Sequence, residues 1–371
     1  MLKTKNKIAI VTWKGQGNYG TNLQSFALIQ FLKDKGYDVV LLEKKEYPIS
    51  IKSYIKFILN IIGYYKIKRV LKNKTAKEKK IELFHDRFYI IKCLYTKSHF
   101  RRIEDDVDVF VSGSDQIWNS YYKYDPFMFL DFVKSKKKIS YASSIGTASI
   151  PNKYKNDIKT YLQEYKHISV REQSACNVLN ELLETRSVKH VMDPTFLLDI
   201  GDWMKLTKYA NYGMIFPKKY ILCYFIGEKK YDDEISIIKN IYKIDSVIIV
   251  KPKDNHPFSF NGAIELLDAG PIEFVDLIMK SSLVCTDSFH ATALSLNFMK
   301  NFVEFMRFSN EDTYSQNSRI VDLLERYNLI GRIFSENSIT WANDIDYSAV
   351  SLKIESDREG SIKYLINAIE N

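Results

Sequence analysis

The segment 286–296, TDSFHATALSL, holds the densest group of chemically versatile side chains in the chain. It follows a short apolar run that predicts a β-strand, so its hydroxyls, acid and imidazole fall at the start of a helix. There His290 can donate or accept a proton near neutral pH, and Asp287 can orient its ring or raise its pKa. Ser288 and Thr292 lie near helix-start N–H groups, which favour anions. The alternative is that His290 only forms a hydrogen bond within an interdomain contact.

A second polar group follows the apolar run 107–111, in the string SGSDQIWN at 112–119. Side chains at the carboxyl end of a parallel strand face the crevice where open α/β sheets bind ligands. Asp115 can serve there as a general base or hold a sugar hydroxyl, with Gln116 beside it, and Trp118 offers a flat face to a sugar ring. The competing interpretation has Asp115 capping a helix and Trp118 in the core.

The first predicted strand, 8–13, runs into the glycine-rich turn KGQGNYG and then into a helix over about 22–35. Such a turn leaves backbone N–H groups free at a helix N-terminus, where an anion is favoured. Its G-x-G-x-x-G spacing, with Glu43 at the end of the next strand, also fits a dinucleotide site. Thr21 stands where a Walker A motif requires lysine, so that motif is excluded. A tight turn without a ligand is the simpler alternative.

Cations for an anionic ligand stand at further strand ends. Arg171 suits bidentate binding of a carboxylate or phosphate, and a structural ion pair with Glu172 is its alternative. Lys251 and Arg307 follow two predicted strands of the second half, although loop lysines are usually only solvated. Asp193 closes another strand, but its Asp-Pro sequence favours a structural turn.

Short apolar runs alternate with longer helical patterns along most of the chain, which predicts an α/β fold with parallel sheets. The series restarts at Tyr220 after a less patterned stretch, 208–219. We therefore expect two Rossmann-like, doubly wound domains that face a cleft, an N-terminal one over 1–210 and a C-terminal one over 211–350. Residues 351–371 have the pattern of a terminal helix that can dock on either half.

The composition excludes several classes of protein. The chain has 371 residues, 46% hydrophobic and 27% charged, so it can bury a large core and is neither disordered nor fibrous. No run approaches the ~18 to 20 apolar residues that span a bilayer, and the first residues do not have the pattern of a signal peptide. The four cysteines are far apart, and neither an H-x-x-x-H pair nor an acid-rich loop appears. We therefore expect neither a disulfide framework nor a tightly held metal.

The net charge of +9 is concentrated in residues 52–80, which contain ten Lys/Arg and a single acid, Glu78. This basic segment joins an apolar half to a basic half, as helices at the surface of anionic membranes do. The alternative is a solvated helical insertion whose apolar residues pack on the domain. A single patch on an otherwise neutral protein is a small footprint for nucleic acid, which we do not expect as a partner.

Taken in order, these motifs resemble the polysaccharide pyruvyl transferase family. The matching strings span nearly the whole chain: GNYGTNLQSFAL (17–28), VSGSDQIWN (111–119), ISYASSIG (139–146), ISVREQSA (168–175), DPTFLL (193–198) and TDSFHATALSL (286–296). The combination of GSDQIWN with TDSFHATALSL is specific, whereas either string alone is not.

The resemblance implies a GT-B-like pair of domains and transfer of pyruvate, as a ketal, from phosphoenolpyruvate to two hydroxyls of a sugar in a bacterial surface polysaccharide. Phosphoenolpyruvate is then a co-substrate, and no cofactor is tightly bound. In this scheme His290 is the acid, assisted by Asp287, while Asp115 is a base on the acceptor side and Arg171 clamps the donor's anion. The remaining predicted site residues are Ser288, Thr292, Lys251 and Arg307 for the donor, and Asn18, Tyr19, Gln24, Gln116 and Trp118 for the acceptor.

One departure from the family's pattern concerns the donor. Some relatives carry an arginine two residues before the histidine, where this chain has Ser288. The cation that holds the donor is therefore open among Lys251, Arg307 and Arg319.

The resemblance also implies a lipid-linked or nucleotide-linked sugar acceptor, which the N-terminal domain is expected to bind while the C-terminal domain binds the donor. The basic segment 52–80 then suggests a cytoplasmic protein held peripherally at the inner face of the membrane. Two other functions stay open: a GT-B glycosyltransferase that uses a nucleotide sugar, and an oxidoreductase that binds a dinucleotide at the first turn. A non-catalytic scaffold of polysaccharide assembly is a further alternative.

Overall fold

The computed structural model of the protein describes residues 5–15, 17–45, 74–184, 187–309 and 315–371. Over these residues the chain forms two five-stranded sheets in which every strand pairing is parallel. The central strands are short apolar runs that are buried along their length, as strands covered by helices on both faces must be. The predicted α/β architecture is confirmed.

The first sheet has the strand order β3-β2-β1-β4-β5, so the connections wind in opposite directions from β1. Its strands are β1 (Lys7–Val11), β2 (Asp38–Lys44), β3 (Ile91–Leu94), β4 (Val109–Ser112) and β5 (Lys137–Ser140). A further parallel pair comprises β6 (Ser169–Val170) and β7 (Lys189–His190). The helices of this half are α1 (Tyr19–Asp34), α2 (Ala76–Phe88), α3 (Lys97–Asp106), α4 (Asn152–Gln163), α5 (Gln173–Leu183) and α6 (Ile200–Thr207).

The second sheet repeats this topology, with the order β10-β9-β8-β11-β12. Its strands are β8 (Ile221–Tyr224), β9 (Val247–Val250), β10 (Ile264–Leu266), β11 (Leu283–Thr286) and β12 (Phe302–Glu304). The accompanying helices are α7 (Asp232–Tyr242), α8 (Pro271–Lys280), α9 (Phe289–Asn297), α10 (Ser318–Arg326) and α11 (Tyr347–Glu370).

The two faces of β1 belong to different apolar clusters, because successive side chains of a strand point to opposite faces. Ile8 and Ile10 join a cluster that continues through α1 and α11 into the second sheet. Ala9 and Val11 face a cluster built from the first half of the chain, and a third cluster covers the other face of the second sheet. The shared cluster holds the two halves against each other.

The terminal helix α11 begins at Tyr347, four residues before the predicted start, and packs on the first half. Lys137 Nζ donates to the Ile369 carbonyl at 2.9 Å, and Ser361 Oγ accepts a hydrogen bond from the Met192 backbone N–H at 3.0 Å. The chain therefore returns to the first domain after it has completed the second.

Most of the basic segment 52–80 lies outside the described residues, which resume at residue 74. Its last part starts α2, where Thr75 accepts a hydrogen bond from the Glu78 backbone N–H at 3.2 Å. Lys77 is buried, and its ammonium donates to the carbonyls of Lys251 at 3.0 Å and Pro252 at 2.6 Å in the second domain. At Lys77, therefore, the segment is packed on the protein. Among the described helices, none combines the length and apolar character needed to cross a membrane.

Candidate functional site

Polar residues that follow four strands meet between the two sheets. Asp115 follows β4, Arg171 follows β6 and Asp193 follows β7, whereas His290 lies in the first turn of α9, just after β11. Parallel strands bring their carboxyl ends to one edge of a sheet, and here the edges of the two sheets face each other. The first three residues therefore belong to the first domain and the histidine to the second. We call these four residues the central cluster.

Arg171 is completely buried and is surrounded by three carboxylates of the first domain. Its Nε donates to Glu172 at 2.9 Å, Nη1 to Asp193 at 2.9 Å and Nη2 to Asp115 at 3.5 Å. Burial would lower the pKa of Arg171, but the charges of Glu172, Asp193 and Asp115 outweigh burial and raise that pKa. Arg171 therefore stays charged and holds the acids in place.

His290 enters the central cluster from the second domain. Its Nε2 lies 3.3 Å from Nη1 of Arg171 and 3.7 Å from Oδ2 of Asp193. The two neighbours favour different protonation states, because a neutral Nε2 accepts from Arg171 whereas a protonated ring is attracted to Asp193. Burial would raise the pKa of Asp193, but the hydrogen bond and charge of His290 and the charge of Arg171 hold it well below its usual range. The imidazole can therefore exchange a proton beside a carboxylate that stays ionised.

The start of α1 lies against the other edge of the His290 ring. A Cβ atom at Gly20 would overlap Nδ1 of His290, so this position requires glycine for a close approach of backbone to ring. On the neighbouring side, the ring of Phe289 lies 4.3 Å from the Arg171 guanidinium carbon. Because Nδ1 faces α1, Nε2 is the nitrogen that faces the central cluster.

Asp115 has a backbone φ of 73°, in the left-handed region that residues with side chains rarely adopt. Its carboxylate accepts hydrogen bonds from the Thr21 hydroxyl at 2.7 Å and from the Gln116 backbone N–H at 2.9 Å. Burial would raise the pKa of Asp115, but the charges of Arg171 and His290 and these hydrogen bonds lower it. The residue is thus an ionised carboxylate that can accept a hydroxyl proton.

Asp287 does not orient His290, and that prediction is wrong. Its carboxylate accepts hydrogen bonds from the backbone N–H groups of Ile226 at 2.7 Å and Gly227 at 2.8 Å. The physical reason is that β11 pairs with β8, so the backbone just after β8 lies beside Asp287. Asp193, from the first domain, is the carboxylate that lies beside the imidazole.

Lys251 is also used by the fold rather than presented to a ligand. Its buried ammonium donates to the carbonyl of His256 at 3.1 Å and to that of Phe258, and lies 3.4 Å from the Glu265 carboxylate. These partners satisfy its hydrogen-bonding capacity, because an ammonium has three N–H groups. The predicted donor-binding role of Lys251 is therefore corrected to a structural one.

The other predicted donor residues lie around the start of α9. Ser288 caps this helix by accepting a backbone N–H at 3.5 Å, and the Thr292 hydroxyl donates to the Glu304 carboxylate. Arg307 Nη2 donates to the Asp287 carbonyl at 2.8 Å, and its Nε lies 3.5 Å from the carboxylate of the same residue. Thr292 is completely buried, so its hydroxyl serves the fold. Donor binding by Ser288 and Arg307 stays a prediction.

Three of the five predicted acceptor residues are buried in the packing of the fold. Tyr19 stacks on Phe274 with ring centroids 4.7 Å apart, and Trp118 stacks on Phe129 with centroids 5.5 Å apart. Gln24 is completely buried and donates to groups at the end of β1 and in α1. Trp118 and Gln24 are thus used by the packing of the first domain, whereas Tyr19 is covered by the second domain, and acceptor binding by Tyr19 stays a prediction.

Two predicted acceptor residues lie closer to the cleft. Asn18 is exposed and caps α1 by accepting the Thr21 backbone N–H at 3.4 Å. Gln116 Nε2 donates to Gln316 Oε1 of the second domain at 3.0 Å. Acceptor binding by Asn18 and Gln116 remains a prediction. Glu43, which suggested a dinucleotide ribose, forms an ion pair with Lys14 at 2.9 Å.

Sequence analysis missed the roles of Asp193 and Gly20. Asp193 does form the expected turn, because its Oδ1 accepts the Thr195 backbone N–H at 3.0 Å, yet its Oδ2 also binds Arg171. The signal was present, since Asp193 is an acid at a strand end like Asp115. The sequence places Gly20 in a turn that favours an anion. In the structure, its lack of a side chain leaves space for the His290 ring.

The central cluster is closed to solvent in this arrangement. Among the described residues, no three His, Cys, Asp or Glu side chains form a group that could hold a metal ion. A cavity of about 10 Å³ lies beside Arg171, Asp193 and Phe289, which is about the smallest space that admits one water molecule. His290 does not line this cavity, and it is 5% exposed in this arrangement.

The architecture is shared with solved structures of known class. A UDP-N-acetylglucosamine 2-epimerase superposes with a TM-score of 0.52 and 13% identity, covering 98% of this chain and 95% of the other. A protein from Listeria monocytogenes described as the same kind of enzyme gives a TM-score of 0.50 and 9% identity, covering 97% of this chain and 90% of the other. Identity at this level shows the fold alone, and the protein has the GT-B fold, as expected.

The sequence pattern of the family described as polysaccharide pyruvyl transferase matches residues 18–306. That range contains the central cluster and every strand from β2 to β12. The chain belongs to the polysaccharide pyruvyl transferase family and is accordingly a transferase. No protein with a curated description matches it significantly in sequence.

Proposed function

We propose that the protein transfers pyruvate from phosphoenolpyruvate to two hydroxyls of one sugar in a surface polysaccharide, forming a cyclic ketal and releasing phosphate. The observation that carries this proposal is the meeting of His290, from the second domain, with the buried Arg171, Asp115 and Asp193 of the first. The reaction requires an acid for a carbon atom and a base for a hydroxyl. An imidazole and an ionised carboxylate held by one arginine supply both.

The proposed chemical steps assign one role to each of these groups. Protonated His290 gives its Nε2 proton to the methylene carbon of phosphoenolpyruvate, and positive charge develops at the adjacent carbon, which bears the phosphate. The first sugar hydroxyl attacks that carbon and loses its proton to Asp115. The carbon–oxygen bond to phosphate then breaks, the second hydroxyl attacks the same carbon, and its proton leaves with the phosphate. The proton on Asp115 restores His290, so that one hydroxyl proton ends on the new methyl group.

Asp193 is proposed to act as a positioning residue for the acid. Its carboxylate lies 3.7 Å from Nε2 of His290, and Nη1 of Arg171 lies 3.3 Å from the same nitrogen, so the two neighbours fix the position of the atom that gives the proton.

The acceptor and its location complete the proposal. We propose that the acceptor is a lipid-linked or nucleotide-linked sugar bound from the first-domain side, near Asn18 and Gln116, in the cytoplasm. The basic segment 52–80 would hold the protein at an anionic membrane surface. Sedimentation with anionic vesicles should be lost when residues 52–73 are deleted, and unchanged sedimentation would remove this part of the proposal.

Phosphate release from phosphoenolpyruvate, measured with sugar acceptors present, tests the function. We expect His290→Gln to lower turnover by about 10²–10⁴-fold while circular dichroism and urea unfolding stay near those of the wild type. His99→Gln, on α3 in the first domain, is the matched control and should leave turnover unchanged. Near-normal turnover in His290→Gln would reject the acid assignment. Absence of phosphate release by the wild type with all acceptors would reject the function itself.

A further inference from the structure

A third arginine, Arg319, lies close to Arg171 and Arg307 at the junction of the two domains. It comes from the first turn of α10, and only 7% of its surface is exposed. Its Nη2 donates to Gln316 Oε1 at 2.8 Å, and its Nε donates to the Gln316 carbonyl at 3.4 Å. The same Oε1 atom accepts a hydrogen bond from Gln116 of the first domain at 3.0 Å. The side-chain amide of Gln316 therefore contacts both Arg319 and the first domain, and it holds Arg319 at the interface.

The three arginines at this junction differ in their counterions. Arg171 has three carboxylates within ion-pairing distance, and Arg307 has Asp287 at 3.5 Å. Within the described part of the chain, no carboxylate lies within 4 Å of the Arg319 guanidinium, and its hydrogen bonds go to the neutral Gln316. A buried charge without a counterion is costly, so among the described residues this position is one that favours binding of an anion.

The electrostatic surroundings of Arg319 agree with this geometry. Burial and the like charges of Arg171 and Arg307 together lower the pKa of Arg319 to about 9, against the smaller raising effects of Glu172 and Asp115. The net influence of the neighbouring charges is therefore repulsive for the guanidinium and attractive for an oxyanion placed beside it.

We infer that Arg319 binds the phosphate group of the donor and so occupies the place in donor binding that Ser288 leaves vacant. This inference rests on the proposed function, because it assigns the donor site of that reaction. Among the candidates weighed from the sequence, Lys251 is occupied by backbone carbonyls and Arg307 is paired with Asp287. Among these three, Arg319 is the one with no carboxylate within 4 Å among the described residues, and its Nη1 donates to none of them, so it can meet a phosphate oxygen.

The position of Arg319 also connects donor binding to the contact between the domains. Asp322, one turn later on α10, accepts hydrogen bonds from the Ser174 backbone N–H at 2.9 Å and hydroxyl at 2.7 Å in the first domain. Gln316 also contacts the first domain, because it accepts a hydrogen bond from Gln116. A phosphate bound at Arg319 therefore lies where α10 meets the first domain, and the domains close over the donor.

Isothermal titration with inorganic phosphate, phosphoenolpyruvate and UDP tests the inference on the full-length chain. We expect Arg319→Gln to weaken the binding of phosphate and phosphoenolpyruvate by about 10- to 100-fold, the loss typical of a charged hydrogen-bonding partner. Arg319→Lys should recover part of the affinity, because it keeps the charge but not the fork. Arg102→Gln, which removes an exposed charge on α3, should bind as the wild type does.

The outcomes separate this inference from the proposed function. If the wild type releases phosphate from phosphoenolpyruvate and Arg319→Gln has the same KM for it, the Arg319 assignment is overturned and the function stands. If phosphate binding depends on Arg319 but the wild type releases no phosphate with all acceptors, the anion site stands and the function fails. If only UDP binding weakens, Arg319 binds a nucleotide diphosphate and the donor assignment is overturned. Melting in phosphate-free buffer checks that Arg319→Gln is folded.

Discussion

The two sheets have the same strand order, yet their facing edges carry different charge balances. On the first-domain edge, one arginine, Arg171, is surrounded by three carboxylates. On the second-domain side, Arg307 pairs with Asp287, and Arg319 has no carboxylate within 4 Å among the described residues. One backbone topology thus supports two chemically different surfaces, and the difference comes from a few residues at strand ends.

The difference suggests how the two sides share the proposed reaction. An acidic edge suits a sugar, because carboxylates accept hydrogen bonds from hydroxyls and can take their protons. A basic edge suits phosphoenolpyruvate, which carries a phosphate and a carboxylate. His290 comes from the basic side but contacts Asp193 on the acidic side. Its proton is therefore located where the two substrates would meet.

The largest expected effect is a loss of folding stability when the arginine of the acidic edge is removed. Arg171→Met should destabilise the protein by about 3–5 kcal/mol, because it leaves three buried carboxylates without the cation that they share. By contrast, Arg319→Gln should leave the ligand-free stability equal or higher, because it removes a charge repelled by its neighbours. Urea unfolding at pH 7 measures both. Equal losses for the two variants would show that the arginines are equally paired and that the comparison is wrong.

A smaller effect is expected where the first domain touches His290. Gly20→Ala places a methyl group on the imidazole, so α1 and α9 must move apart, at a cost of about 1–3 kcal/mol. Turnover should fall at least ~10-fold, because the acid is displaced from its position. Gly17→Ala is the control, since a Cβ at Gly17 meets no atom within 4 Å. Urea unfolding and phosphate release measure the two effects, and equal behaviour of the two variants would contradict the close approach.

The smallest expected effect is a dependence of the folding stability on pH near the acidic edge. Burial, together with the charge of Arg326, lowers the pKa of His190 to about 4, and its Nε2 lies 3.0 Å from the Arg171 carbonyl just behind the acidic edge. An unfolded histidine has a pKa of about 6.5, so below that pH the unfolded chain binds more protons and stability falls. We expect a loss of about 1 kcal/mol between pH 6.5 and 5.5 from this residue.

Unfolding midpoints of the wild type and of His190→Asn across this pH range measure that contribution. His190→Asn is expected to be less stable at pH 7, because it loses packing and hydrogen bonds, but to have a shallower dependence on pH. An unchanged slope would show that His190 is already protonated in the folded protein.

Much of the fold and part of the site could be predicted from the sequence. Apolar runs of strand length separated by helical patterns indicate buried parallel strands, and polar residues directly after such runs must lie at one edge of a sheet. His290, Asp115 and Arg171 could be selected in this way, because their positions depend on local pattern and on a rule that holds for open parallel sheets.

Only the tertiary structure decided which of these side chains meet. Asp287 is three residues from His290 in sequence, but Asp193, from the other domain, is the carboxylate beside it. Trp118 could equally have faced a sugar, and it is a core residue because Phe129 covers it. The neutral surroundings of Arg319, which is hydrogen-bonded to Gln316, are likewise set by how α10 sits between the domains. Local periodicity determines elements and their edges, whereas contacts between domains depend on the relative placement of two sheets, which no short stretch of sequence encodes.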